Sequence, residues 1–123
     1  MKYCQLLLFL FLIGSCSLPK PDLEDFDADV WKNDPNGCKG DRNTLIASLY
    51  EQRDNLLGFN QNEIKYYLGK PDEQELYNRS QTFFHYQVSG SSECSQTGSV
   101  ISLQIRFDAL NRSNEIFFKN YPQ

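Results

Sequence analysis

The sequence has few of the residues on which enzymes and metalloproteins depend. Its 123 residues include a single histidine, His85, and they contain no Gly-rich phosphate loop, nucleophile elbow or helix with two metal-binding histidines. We interpret His85, which lies among alternating aromatic residues, as a hydrogen-bonded histidine of a β-strand. The sequence therefore predicts a protein that is not an enzyme and that uses no cofactor, bound metal or small-molecule substrate.

Basic residues and long apolar runs are also scarce. Twelve Lys and Arg residues stand against 16 Asp and Glu residues, which gives a formal net charge of −4. Because a nucleic-acid-binding protein needs a basic surface to neutralise phosphates, we expect no nucleic acid as a partner. The apolar run at residues 6–13 is well short of the roughly 20 residues with which a helix spans a bilayer.

The chain does have enough apolar residues to build one core. Hydrophobic residues make up 40% of the sequence and aromatic residues 14%, which is more than a disordered chain carries. The length is typical of a single domain of roughly 100–150 residues. We therefore expect one small, acidic, ordered domain.

The first 15 residues have the three regions of a secretory signal peptide. Lys2 supplies the positive charge, residues 6–13 (LLLFLFLI) form a short apolar segment, and the small residues Gly14 and Ser15 follow. The alternative is a buried core helix, but the segment has no polar face. We predict that residues 1–15 are a signal peptide, whose removal changes the net charge from −4 to −5 because it carries only Lys2.

The end of this segment, Ile13-Gly14-Ser15-Cys16, resembles the bacterial lipobox. That resemblance implies cleavage before Cys16, diacylation of its sulfur and acylation of its new amino group. More than one acyl chain gives stable membrane anchoring. Ser17, rather than Asp, follows the cysteine, which in Gram-negative sorting indicates the outer membrane. The alternative is ordinary signal cleavage, with Cys16 left as a free or paired thiol.

Two of the four cysteines remain for a disulfide. Cys4 leaves with the signal peptide and Cys16 takes the lipid. Cys38 and Cys94 are then an even pair in an oxidising compartment, where a disulfide is expected. A zinc site is not favoured, because two cysteines and His85 do not provide four ligands at zinc spacing.

Residues 16–36 are predicted to be the lipidated cysteine and an acidic, proline-containing tether, which leaves residues 37–123 as the domain. Prolines and clustered acidic residues favour an extended chain. Two other interpretations remain open for this segment. It orders on a partner through Phe26, Val30 and Trp31, or Trp31 simply packs on the edge of the domain.

Apolar spacing predicts two helices after this segment. The first starts near Asp41 or Asn43, runs to Leu57 and is followed by Gly58 in a left-handed conformation. The second is capped by Asn60, with Glu63 three residues later as in a capping box, and it ends at Gly69 before Pro71.

After Pro71 the period of the apolar residues changes to two, which predicts strands at residues 75–77, 82–88, 100–107 and 114–119, the first of them weak. An antiparallel sheet with one apolar face needs a cover, which the helices supply. We predict an α+β fold with two N-terminal helices packed on a three- to four-stranded antiparallel sheet, an α-α-β-β-β two-layer sandwich.

The same alternation places Phe83 and Phe117 on the sheet face that points away from the helices, together with Arg106. Aromatic residues and Arg are enriched at the centres of protein interfaces, so these three are candidate partner-binding residues. Tyr66, off the apolar stripe of its helix, is another exposed aromatic. Alternatively, these are scattered surface aromatics, or the tether covers them.

Residues 57–72, and above all Leu68-Gly69-Lys70-Pro71-Asp72, resemble the BamE (SmpA/OmlA) family of small outer-membrane lipoproteins. The aromatic strand around Phe84-His85-Tyr86 and the strand ending in Phe107-Asp108 extend the resemblance over about residues 43–119. It implies the α-α-β-β-β fold and an accessory role in a complex that inserts β-barrel proteins.

The chain departs from the family pattern in several places. Phe59 stands where a Met is frequent, Asn60 replaces Ser or Thr, and neither the Cys38–Cys94 pair nor the acidic segment belongs to the pattern. No partner-contacting or phospholipid-contacting residue of the family is carried over to this chain.

We therefore expect a non-enzymatic, lipid-anchored accessory or scaffold protein of the outer membrane, on its periplasmic side or at the cell surface. Its partners would be the membrane, through the lipid, and another envelope protein. The same fold also serves as an inhibitor module that binds enzymes. A periplasmic or surface protein-binding module of that kind is the alternative.

Overall fold

A computed structural model describes residues 18–95 and 98–122. It has the predicted α+β architecture, with helices that precede a four-stranded antiparallel sheet. The elements in chain order are α1 (Ala28–Lys32), α2 (Asp41–Glu51), α3 (Gln61–Leu68), β1 (Glu73–Tyr77), β2 (Gln81–Ser89), β3 (Ile101–Phe107) and β4 (Ser113–Lys119). The predicted signal peptide and Cys16 lie outside the described residues.

The sheet has the simplest order, β1-β2-β3-β4, so each strand pairs with its neighbour in sequence. Along β2, buried and partly buried residues alternate strictly, and Phe84, Tyr86 and Val88 are fully buried. These side chains face the helices, which contribute the other half of the core. The helix-layer residues in that core are Trp31, Ile46, Leu49, Leu56, Ile64 and Leu68.

The helix ends follow the local sequence. Asn60 accepts a hydrogen bond from the N–H of Glu63, and Glu63 accepts one from the N–H of Asn60, so the predicted capping box is confirmed. Helix α3 ends at Gly69, which has a φ of 83°.

The predicted first helix is shorter than expected. Helix α2 ends at Glu51, and a 3-10 turn at Arg53–Leu56 follows it. Asp54 and Asn55 have low helix propensity, because their short polar side chains form hydrogen bonds that compete with those of the helix backbone. The Asn55 amide donates to the carbonyl of Asp22 at 3.0 Å. Gly58 then has the predicted positive φ, 86°, but beyond the 3-10 turn.

The segment before residue 37, predicted to be an extended tether, is instead packed on the domain over most of its described length. Residues 21–36 pack along the helix layer, and they include the short helix α1, which the sequence analysis did not predict. Trp31 is fully buried, and its ring centroid is 5.6 Å from that of Phe26. The interpretation in which Trp31 packs on the domain is therefore the one that agrees with the structure.

Apolar burial explains why this segment does not remain extended. A buried Trp side chain removes about 150–250 Å² from water, a gain of about 4–6 kcal/mol. The Trp31 Nε1 has no hydrogen-bond partner among the described residues, which costs about 1–3 kcal/mol. The gain exceeds that loss. Side-chain bonds from Ser48 and Gln52 to the carbonyl of Glu24, each 2.7 Å, fix the backbone as well.

A buried arginine joins this segment to the sheet. The Arg42 Nη1 donates to the carboxylate of Asp72 at 2.6 Å and to the carbonyl of Gln87 at 2.9 Å, and its Nε donates to the carbonyl of Trp31 at 3.0 Å. The side chains of Arg42 and Asp72 are only 2% and 6% exposed. The Arg42 guanidinium also lies 5.1 Å from the ring centroid of Trp31.

Two aspartates complete this network through backbone N–H groups. Asp34 accepts from Lys39 and Arg42, while Asp72 accepts from Asn36 and Gln87. Each carboxylate therefore fixes a loop through its backbone bonds, and Asp72 also compensates the buried charge of Arg42.

Tyr86 lies beside this network and stays neutral. Burial raises the pKa of its hydroxyl far above the ordinary value, against the opposing effect of Arg42. The hydroxyl therefore remains protonated and donates to the carbonyl of Gly69 at 2.8 Å. The end of α3 is thus bonded directly to the middle of β2.

The predicted disulfide is present. Cys38 and Cys94 are bonded, with their Cα atoms 5.2 Å apart and a sequence separation of 56. The bridge joins the loop between β2 and β3 to the 3-10 turn at Pro35–Gly37, which lies directly on β2. A Cβ on Gly37, whose φ is 68°, would overlap the carbonyl of Val88, so only glycine permits this close approach.

We expect Arg42→Met to lower the free energy of unfolding by about 3–5 kcal/mol, because it leaves the Asp72 carboxylate buried without its partner. Adding Asp72→Asn should recover part of the loss, since it removes the buried charge and its amide oxygen still accepts one of the two backbone bonds. Urea unfolding measures both variants. Asp29→Asn, which breaks the exposed 3.7 Å pair with Lys32, is the control and should change stability by under about 1 kcal/mol. An equal loss in Arg42→Met and the control would contradict this account.

We expect the double variant Cys38→Ser and Cys94→Ser to lose about 4 kcal/mol of unfolding free energy, from the loop that the bridge closes. Urea unfolding of the native chain with and without reductant should give the same difference. A loss below about 1 kcal/mol in both measurements would mean that the bridge contributes little to the fold.

Candidate functional site

The sheet face that points away from the helices, here called the outer face, carries the predicted binding residues. Phe83 on β2 lies directly opposite Arg106 on β3, and Phe117 on β4 lies opposite Gln104. The ring centroids of Phe83 and Phe117 are 6.5 Å apart. The structure therefore brings Phe83, Arg106 and Phe117 together, and all three side chains are half-buried.

Two further rings belong to the same cluster. Tyr77, on the edge strand β1, is 5.8 Å from Phe83, and His85 is 6.4 Å from Phe83 on the other side. Tyr77 was not among the predicted binding residues, because β1, with five exposed residues, lacks the apolar alternation that assigns residues to one face. Tyr66 is 61% exposed on α3, in the helix layer and away from this cluster.

Arg106 and His85 on the outer face each lie beside a carboxylate. Arg106 contacts the Glu115 carboxylate at 3.3 Å and donates from Nε to Asn114 at 3.2 Å. His85 lies 3.3 Å from the Glu75 carboxylate, which agrees with its interpretation as a hydrogen-bonded strand histidine. The outer face thus presents an apolar centre with an ion pair and a histidine–carboxylate contact at its sides, a composition typical of a protein interface.

The rings of the cluster meet in two arrangements. Phe83 meets Tyr77 and Phe117 edge to face, with interplanar angles of 86° and 74°, whereas it is stacked with His85 at 25°. Phe83 therefore contacts aromatic rings on β1, β2 and β4 and is the centre of the cluster.

An open groove of about 650 Å³ lies between the N-terminal segment and the helices. It is lined by Phe26, Leu45 and Tyr67, and by four exposed aspartates: Asp22, Asp25, Asp27 and Asp29. Burial and the charge of Asp22 raise the pKa of Tyr67. Across residues 18–95 and 98–122, no group of three or more metal-ligating side chains is arranged to hold an ion.

The described helices also bear on membrane contact. Between residues 18 and 122, leaving aside residues 96 and 97, no helix has both the length and the apolar character to cross a bilayer.

Comparison of the chain with protein-family models, curated proteins and solved structures gives no match.

Phe83 and Phe84 form a matched pair for testing the outer face. Phe84→Ala removes a fully buried ring and should lower the free energy of unfolding by about 3–5 kcal/mol. Phe83→Ala removes only cross-strand contacts on the outer face and should lose about 1 kcal/mol. Thermal and urea unfolding compare the two. Equal losses would show that the outer face is part of the core and would remove the reason to regard it as a binding surface.

Proposed function

We propose that the chain is a lipid-anchored lipoprotein of the bacterial outer membrane that acts without catalysis, by binding another envelope protein through its outer face. The sequence Ile13-Gly14-Ser15-Cys16 supports the anchor. The clustering of Tyr77, Phe83 and Phe117 beside Arg106 is the observation that carries the binding role, because these large rings remain exposed or half-buried where no other element of the described chain covers them.

The position of the N-terminal segment supports an orientation for this arrangement. The carbonyl of Glu24 accepts a hydrogen bond from Ser48 of α2, and the carbonyl of Asp22 accepts one from Asn55 of the following 3-10 turn. The ring centroids of Phe26 and of Tyr67 on α3 are 6.1 Å apart. Residues 22–26, which follow the predicted anchor in the chain, therefore lie on the helix layer, on the opposite side of the domain from the outer face. An anchor attached there leaves the outer face free to meet a partner.

Within this proposal, the resemblance to the BamE family favours an accessory role in β-barrel assembly. The disulfide between Cys38 and Cys94 favours the second candidate, an inhibitor-like module that binds a periplasmic or surface enzyme, because it departs from the family pattern and suits an oxidising compartment. The two functions differ in whether binding requires the lipid anchor.

A photoreactive residue at position 117 of the full chain, in the cells that make it, tests both candidates. For the assembly function we expect crosslinks to barrel-assembly components, which Cys16→Ser abolishes by removing the anchor. For the inhibitor function we expect a crosslink to one soluble enzyme, which Cys16→Ser leaves unchanged. A photoreactive residue at the exposed position Ala47 on α2 is the control and should capture neither.

The intact mass of the membrane-extracted protein completes the experiment. It should correspond to a chain that begins at Cys16 and carries the acyl groups, and Cys16→Ser should lack them. Native protein that is found in the aqueous fraction without fatty acyl chains would contradict the anchored function. Equal capture at positions 47 and 117 would contradict the role of the outer face.

A further inference from the structure

Strand β1 leaves one edge of the sheet open. It pairs only with β2, and all five of its residues are exposed. In the described part of the chain, no backbone hydrogen bond joins residues 73–77 to anything on the other side of β1. Leu76, which lies on the helix side of the sheet, is 79% exposed. Neither the backbone edge nor the side chains of β1 are covered.

The opposite edge of the sheet is partly closed. Ser113, the first residue of β4, exchanges two backbone hydrogen bonds of 2.8 Å with Gly58 and Phe59. The pairing of β3 with β4 is also irregular between Arg106 and Phe107. An added strand would therefore meet a regular, free backbone along β1 and an occupied one at the start of β4.

The side chains of β1 specify what kind of strand fits. Glu73 and Glu75 project on the outer face, and Leu76 projects on the opposite side. An added antiparallel strand places its side chains directly opposite these residues, where opposite charges stabilise the pair and like charges destabilise it. The complementary strand alternates basic residues on the outer face with apolar residues on the helix side.

The same charges disfavour a second copy of this chain. Antiparallel pairing of two β1 strands over their full length places Glu75 opposite Glu75 of the other copy, and a shift by two residues places Glu73 opposite Glu75. Like charges are a common way to protect a sheet edge from self-association. This edge therefore selects against its own sequence and in favour of a basic one.

We propose that the β1 edge, Glu73–Tyr77, accepts an extended segment of the partner protein as a fifth strand, and that this segment alternates basic and apolar residues. This inference deepens the proposed function, on which it rests, because β1 also carries Tyr77 of the outer-face cluster. The added strand extends the sheet beside Tyr77 and Phe83, so backbone pairing gives affinity and the alternating side chains give specificity.

A synthetic peptide of alternating lysine and valine, Lys-Val-Lys-Val-Lys, added to the detergent-solubilised full chain tests the inference. We expect binding with protection of the Glu73–Tyr77 amides from hydrogen exchange. A peptide of the same sequence with N-methylated backbone amides keeps the charges but cannot pair, and it should not bind. A peptide of alternating glutamate and valine should not bind either.

The variant Glu73→Lys with Glu75→Lys should weaken binding of the lysine peptide about tenfold or more, since two attractive cross-strand pairs become repulsive. Glu51→Lys with Asp54→Lys changes the net charge equally at exposed positions of the helix layer and should leave binding within about twofold. Equal binding of the N-methylated peptide, protection elsewhere than β1, or absence of binding would overturn the inference.

The peptide experiment and the cellular crosslink can fail independently, so they distinguish strand addition from the proposed function. If the residue at position 117 captures its partner in cells but the lysine peptide fails to protect β1, strand addition is wrong and the outer-face function stands. If the peptide protects β1 but the cellular crosslink fails, the edge accepts strands and the proposed function is wrong.

Discussion

The guanidinium of Arg42 and the carboxylate of Asp72 meet inside the domain, where little water reaches either group. An isolated buried charge is strongly unfavourable, so neither residue is tolerated there without the other. The pair also bonds the backbone of three separate segments, at Trp31, Asn36 and Gln87. The N-terminal segment, helix α2, the turn after α3 and strand β2 therefore take their relative positions from one ion pair. Tyr86, which stays protonated and bonds to Gly69, and the disulfide at Cys38 strengthen the same junction.

Local sequence patterns predicted the parts of the fold that depend on local physics. The period-2 alternation in β2 and β3 identified the buried faces because a sheet with one face on the core must alternate. The capping box at Asn60 and Glu63 marked the start of α3 because unpaired N–H groups at a helix start need acceptors nearby. Helix α1 and the burial of Trp31 were not predictable in this way. Their surroundings in sequence are prolines and aspartates, and their stability comes from residues distant in the chain, such as Tyr67 and Arg42.

The candidate site, too, was predictable from local sequence only in part. Phe83, Arg106 and Phe117 lie in strongly alternating strands, so their shared face followed from the sequence. Tyr77 lies in a strand whose five residues are all exposed, and without burial on one face an alternation has little to mark it. The role of Asp72 was hidden for a different reason. Its position after Leu68-Gly69-Lys70-Pro71 is typical of a residue just past a helix end, whereas its structural role depends on Arg42, 30 residues earlier.

The buried network around Arg42 and the uncovered outer face both follow from how the domain distributes its apolar surface. A chain of this length buries only part of its apolar residues, and here the N-terminal segment adds Trp31 and Phe26 to the cover over the helix layer. The segment that would lead to the anchor is thereby bonded to one side of the molecule. Because that cover is supplied on the helix side, Tyr77, Phe83 and Phe117 of the outer face stay uncovered, beside the free edge of β1. The same packing that completes the core thus places the N-terminal segment and the outer-face aromatic residues on opposite sides of the domain.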